Sequence, residues 1–214
     1  MPNFRAAAAL SLGLALALTG CKIIKTPTAE EAAIAASGGF DPDKQVADLW
    51  QAKVIPFLDQ RAGPYQDVSA LVASDANAAA AKYGHKEKNG TAPWTYAAKV
   101  SGTIVKAETK SRAAYLDTDV DGDGKADVRI QIGPVIKGTA IRDSLDFVNF
   151  SEFKNQIQWA EFGKAFNNHL NAQILDKLSR DGLEGRQVEA VGAYPAPSSG
   201  QPALLTPVTI TIGG

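Results

Sequence analysis

WTYAAKVSGTIVKAET, residues 94–109, marks the point where the periodicity of the chain changes. Upstream, apolar residues recur every three or four positions. From here they fall in short runs rich in Val, Ile, Thr and Tyr, divided by turn residues: RAAYLDTD (112–119), VRIQIG (128–133), RQVEAVGAY (186–194) and LTPVTITIG (205–213). Each run reads as a strand. Gly102, in the middle of the first, suits a bend at a barrel corner. One long amphipathic stretch interrupts the strands, with Trp159, Phe162, Phe166, Leu170, Ile174 and Leu178 in a helical stripe that ends at Asp181-Gly182. Five strands with a helix between the third and fourth is the element order of an oligonucleotide/oligosaccharide-binding (OB) barrel. The expected class is therefore α+β, a helical N-terminal segment packed on an OB-like five-stranded β-barrel. A two-layer α+β sheet would give the same sequence of elements.

Working back from the strands, residues 41–92 read as helical. Asp41-Pro42 makes a helix start, because Asp caps free N–H groups and Pro fits the first helical position. Val46, Leu49, Trp50, Val54, Phe57 and Leu58 then lie on one helical face. Pro56 falls inside that face and should kink or shorten the helix. After a Gly63-Pro64 turn, Val68, Leu71, Val72 and the alanine run 76–81 indicate further short helices, with Gly84 as their C-terminal cap. Residues 21–40 read as a flexible tether. Residues 41–92 and 93–214 are expected to form one globular unit.

The first twenty residues resemble a secretory signal: Arg5, then a small and apolar run from Ala6 to Leu18 that is shorter than the roughly 20 residues of a helical membrane span. Leu18-Thr19-Gly20-Cys21 resembles a bacterial lipobox and holds the one cysteine of the chain. This places the protein in the bacterial cell envelope, on the periplasmic face of a membrane, anchored through acylated Cys21. With that cysteine acylated, the core is stable without disulfides. The formal charge of −1 gives no basic footprint, which argues against a nucleic-acid partner.

The lipobox, ADLWQAKVIPFLDQ (47–60), KYG (82–84) and above all IQIGPVIKGTAIRDSLDFVNFSEFKNQIQWAEFGKAFN (130–167) are similar to the predicted periplasmic lipoproteins grouped as domain of unknown function 2291. The similarity is specific at Gly133-Pro134, Gly138-Thr139, Arg142-Asp143 and Asn155-Gln156. It implies a lipid-anchored periplasmic protein and no catalytic residue. It also implies a component of a sugar-type ABC transporter, or a solute-binding protein, as partner.

DTDVDGDGKAD (117–127) brings alternating aspartates onto a glycine-containing turn. In the better of two calcium registers the ligands are Asp119, Asp121, Asp123, the Lys125 carbonyl and Asp127, with Gly124 at the tight turn. The bidentate Glu of an EF-hand is missing, since Ile130 takes its place, and the flanks are strands. An ordinary hairpin turn explains the Asp-Gly pairs equally, although it has no reason to incur like-charge repulsion of roughly 1 kcal/mol per close pair. Both readings stay open, with calcium as a structural ligand.

The loop 133–143 and its neighbours form a second constellation. Arg142 can fork onto a carboxylate or phosphate, Lys137 adds a cation, and Asn155 and Gln156 can satisfy hydroxyl groups. Gly133 and Pro134 shape the loop, which an OB barrel would use for a ligand or partner. Against this, Arg142 and Asp143 can be a structural ion pair and Asn155 a helix cap. His85 and His169 lack metal-ligand spacing, and Trp50, Trp94 and Trp159 read as core. With no GxSxG elbow, P-loop or dinucleotide glycine pattern, the expectation is a non-catalytic binding or accessory module. An enzyme acting on an envelope carbohydrate, or a purely structural envelope protein, are the alternatives.

Overall fold

Five long strands carry the fold: β1 (Thr95–Glu108), β2 (Ala113–Asp119), β3 (Val128–Pro134), β4 (Gln187–Pro195) and β5 (Ala203–Ile212). The computed structural model describes residues 28–36, 38–87, 92–197 and 201–213, so the signal segment and Cys21 lie outside the described residues. Neighbours in the order β1-β2-β3-β5-β4 pair side by side, antiparallel except for β3 and β5, and β4 returns to β1. That last pairing closes a barrel and excludes the two-layer sheet.

Closure depends on β1 serving two neighbours. Its first half, Thr95 to Thr103, pairs with β4, and its second, Thr103 to Glu108, with β2. Gly102 stands at the changeover, where an added Cβ would run into the carbonyl oxygen of Asp119. The expected corner glycine is thus required by the close approach of a neighbouring backbone. Alternate residues, among them Val100, Ile104, Leu116, Val128, Ile130, Ile132 and Leu205, fill the interior. Burial of each large aliphatic is worth roughly 1.5–3 kcal/mol.

Helix α1 (Ala29–Ala36) belongs to the part of the chain that ends at Gly39; Phe40–Gly214 forms the other unit. There, α2 (Pro42–Leu49) begins under an Asp41 cap that accepts from Lys44 N–H. Pro56 does not end the helix. One π turn, Trp50–Val54, closed by Ile55 N–H donating to Trp50 O, precedes α3 (Ile55–Arg61), and the wider turn accommodates the proline ring. Val46, Trp50, Val54 and Leu58 are buried against α6 (Ala140–Ser144), α7 (Gln156–Gln173) and the outside of the barrel wall at Ala97, Ala193 and Val208. α4 (Tyr65–Ser74) and α5 (Ala76–Tyr83) contribute Tyr65, Val68, Ala79 and Tyr83 to the barrel's own core.

Some expectations change. Gly63-Pro64 is no turn but a two-residue bridge parallel to β1. Gly84 does follow α5, yet it is extended (φ −101°, ψ 155°) and pairs with Tyr96, so it is not a left-handed cap. Its glycine is needed because a Cβ would press on the Ala80 backbone. α7 stops at Gln173, leaving Leu178 beyond a separate 3₁₀ turn. Trp94 is 40% exposed, not core.

Candidate functional site

The aspartate stretch is the hairpin between β2 and β3. Gly122 and Gly124 take φ values of 85° and 83°, left-handed conformations that glycine adopts readily because it has no Cβ. Their N–H groups donate to the two oxygens of Asp119 at 2.7 and 2.8 Å and hold its carboxyl below the ordinary 3.8, Gly124 most strongly. Asp127 Oδ2 accepts from Val120 N–H at 2.9 Å. One carboxylate oxygen each from Asp119, Asp121 and Asp127 lies within 4.8 Å of the others. Asp123 departs from the expected set: it bonds the Lys125 N–H and ammonium at 2.8 and 3.0 Å, which lowers its carboxyl. α4 braces the hairpin, Tyr65 OH donating to Asp127 O and Gln66 Nε2 to Val120 O. Burial, with Asp127 nearby, pushes the Tyr65 phenol up to about 12.

The second constellation does not form one loop. Gly133 and Pro134 end β3, and Arg142 and Asp143 lie within α6. Arg142, 8% exposed, bonds Asp143 through Nε and Nη2 at 2.9 and 2.6 Å, Thr139 Oγ1 at 3.0 Å and the Trp159 carbonyl at 2.8 Å. It also stacks 3.9 Å from the Trp159 ring centre. These bonds tie α6 to α7 and leave the guanidinium committed inside the protein. His85 Nδ1 donates to the Asp143 carbonyl. Asn155 caps α7 by accepting from Gln158 N–H, and Gln156 is exposed in the first turn. The carbonyls of Pro134 and Gly138 are taken by Asn171 and Asn167 of α7. Lys137, of this group, lines a cleft.

That cleft, of about 500 Å³, opens on the outer face of β2 and β3. Tyr115 comes from β2 and Arg129 from β3; Ser111 comes from the β1–β2 connection and Gln201 from the β4–β5 connection. Arg129 forks onto Asp117 through Nε and Nη2 at 2.7 and 2.9 Å, and lies 3.7 Å from the Tyr115 ring centre. β3 and β5 pair only from Val128 to Ile130, then separate. Buried Gln131 spans the gap: its Nε2 donates to Thr206 Oγ1 at 2.8 Å and its Oε1 accepts from Lys137 N–H at 2.7 Å. Sequence reasoning missed Ser111, Tyr115, Arg129, Gln131 and Gln201. The available signal was the alternation of VRIQIG, which turns Arg129 and Gln131 to the face opposite Val128, Ile130 and Ile132. A second cleft, of about 520 Å³, lies between α2 and residues 147–153 with Phe40, Leu49, Phe147 and Phe153 in its walls, and shares no residue with the first.

With the barrel and its faces in place, comparison with known proteins assigns the chain. The family model described as predicted periplasmic lipoprotein (DUF2291) matches residues 11–211. The chain belongs to this family. Its description makes this an envelope, periplasmic protein, and the match takes in the LTGC sequence. An OB-fold protein from Thermotoga maritima, solved crystallographically, is 18% identical, with a TM-score of 0.62 over 81% of this chain and 99% of the other. That likeness shows the fold of this DUF2291 protein to be an OB barrel with helices. Comparison with curated protein sequences returns no match.

Proposed function

We propose that the protein is a non-catalytic binding module, held to a membrane of the bacterial envelope by acylated Cys21, that serves an ABC-type transport system for sugars. Its partner is then a transporter component or a solute-binding protein. The observation that carries the binding role is the polar cleft on β2 and β3, edged by the β1–β2 and β4–β5 connections, which is the face OB barrels use for ligands. The cleft lining holds one carboxylate, Glu108, whose Oε1 accepts from the Lys110 and Ser111 N–H groups. A binding role is better supported by this than glycoside hydrolysis, which works with two carboxylates across the bond. Cys21→Ser should release the protein into the soluble fraction, and a variant still sedimenting with lipid removes the anchor. Cross-linking in intact cells, followed by pull-down from solubilised membranes, should recover a transporter subunit or solute-binding protein. Repeated recovery of neither counts against the accessory role.

A structural cation at the β2–β3 hairpin is a second reading, favoured by the proximity of Asp119, Asp121 and Asp127. Oxygen ligands of this kind suit calcium at affinities of about 10⁻⁴ to 10⁻³ M. Millimolar calcium should raise the melting temperature and Asp121→Ala should cancel that rise; an unchanged melting temperature leaves the hairpin a bare turn.

A further inference from the structure

We infer that the cleft on β2 and β3 takes a saccharide bearing a carboxylate, a uronic acid or a short oligomer of one. The inference deepens the proposed binding role and rests on it. It begins with which polar groups the fold has already used. Gln131 is fully engaged, its amide bonding Thr206 Oγ1 and both the N–H and the carbonyl of Lys137. Gln131 is therefore a clamp: it fixes the Lys137 main chain at the cleft while the exposed ammonium has no ion-pair partner among the described residues. Arg129 is held in plane by Asp117 and Tyr115, yet only its Nε and Nη2 are bonded, so the Nη1 edge remains to donate. Two cationic donors, one of them preorganised, suit a carboxylate, because charge-assisted bonds are the strong ones and a fixed guanidinium loses little freedom on binding.

The remaining groups suit hydroxyls. Ser111 Oγ accepts from Ala113 N–H, which leaves its own O–H to donate. The Gln201 amide, which offers both donors and an acceptor, lines the same cleft. Tyr115 is the one aromatic ring in the lining, and it is stacked with Arg129. A nucleobase therefore lacks the free aromatic platform on which single strands stack, and a lining with two cations, Arg129 and Lys137, beside the acid Glu108 is no basic track for a phosphate backbone. Recognition falls to polar edges and charge, as an acidic sugar requires. A volume of about 500 Å³ is within the usual range for a small ligand.

Calorimetric titration of the full chain in detergent, with galacturonate, digalacturonate, galactose, inorganic phosphate and a short single-stranded oligonucleotide, tests this. The uronates should bind about tenfold more tightly than galactose, and less tightly as salt rises. Lys137→Met, on the surface, should leave the melting temperature unchanged and weaken uronate binding about three- to tenfold without changing galactose binding. Equal binding of galactose and galacturonate, weakened by Ser111→Ala, overturns the carboxylate and keeps the binding module. Tighter binding of phosphate or oligonucleotide than of any sugar overturns the saccharide. Binding of none of these at millimolar concentration also overturns it, whereas the accessory role in transport falls separately if repeated membrane pull-downs recover no transport component. Uronate binding insensitive to both Lys137→Met and Arg129→Gln overturns the assignment to this cleft.

Discussion

At the scale of the residue, Asp119 and Gly102 meet at the same corner of the barrel. The Asp119 side chain organises the hairpin through two glycine N–H groups, and its carbonyl is the atom that forbids a Cβ at position 102. Because those bonds favour the carboxylate, the folded-state titration of Asp119 lies below its ordinary value of 3.8. Its contribution to stability is complete above that value and is lost as pH falls through the lower one. Asp119→Asn should be less stable than the parent at neutral pH, and the gap should narrow below about pH 4, which urea unfolding at stepped pH would show. A gap independent of pH would mean that the charge contributes nothing. Gly102→Ala should cost about 2–3 kcal/mol, since the obstructing atom is backbone with little room to shift; a denaturation midpoint near that of the parent would show that the corner can open.

At the scale of the element, local signals were well preserved in the sequence where no distant partner intervened. Asp41-Pro42 starts α2, and Asn155 caps α7 as its position before the long stripe allows. Asn155→Ala should cost about 1 kcal/mol, measured by chemical denaturation, because the Gln158 N–H then loses its acceptor. A cost near zero would mean that solvent replaces the cap. The elements that read wrongly are those set by tertiary contact. Pro56 is tolerated because Trp50 and Val54 are held against α7 and the barrel, so packing over the whole face outweighs the local break. Gly63-Pro64 and Gly84 look like punctuation, yet both lie along β1, and nothing in two residues announces a strand partner more than ten positions away.

At the scale of the whole molecule, α4 is part of the barrel's stability. Tyr65 joins the two, its ring in the core beside Tyr194 and its hydroxyl on the Asp127 carbonyl. With its phenol raised from the ordinary 10 to about 12, the protein keeps this contribution fully below pH 10 and loses it as pH rises from 10 towards 12. Tyr194 is displaced upward as well, again by burial. Tyr65→Phe should lower stability by about 1 kcal/mol at neutral pH through the lost hydrogen bond and should soften the alkaline limb of thermal unfolding followed by circular dichroism. An unaltered alkaline limb would remove Tyr65 from that transition.

By itself the sequence determined the LTGC motif, the five strands and the helix between the third and fourth, because period-two and period-3.6 patterns and turn residues are local consequences of backbone geometry; the return of β4 to β1, a tertiary pairing, decided for the barrel over the two-layer sheet. Only the tertiary structure decided which polar side chains are consumed inside the fold and which line a cleft. Arg142 and Asp143 carry the chemistry of a site but are consumed in joining α6 to α7, whereas Arg129 and Lys137 gain their positions from Asp117, Tyr115 and Gln131. A polar side chain's free valences depend on which neighbours have already used them, and those neighbours are brought together by strand pairing, not by spacing along the chain.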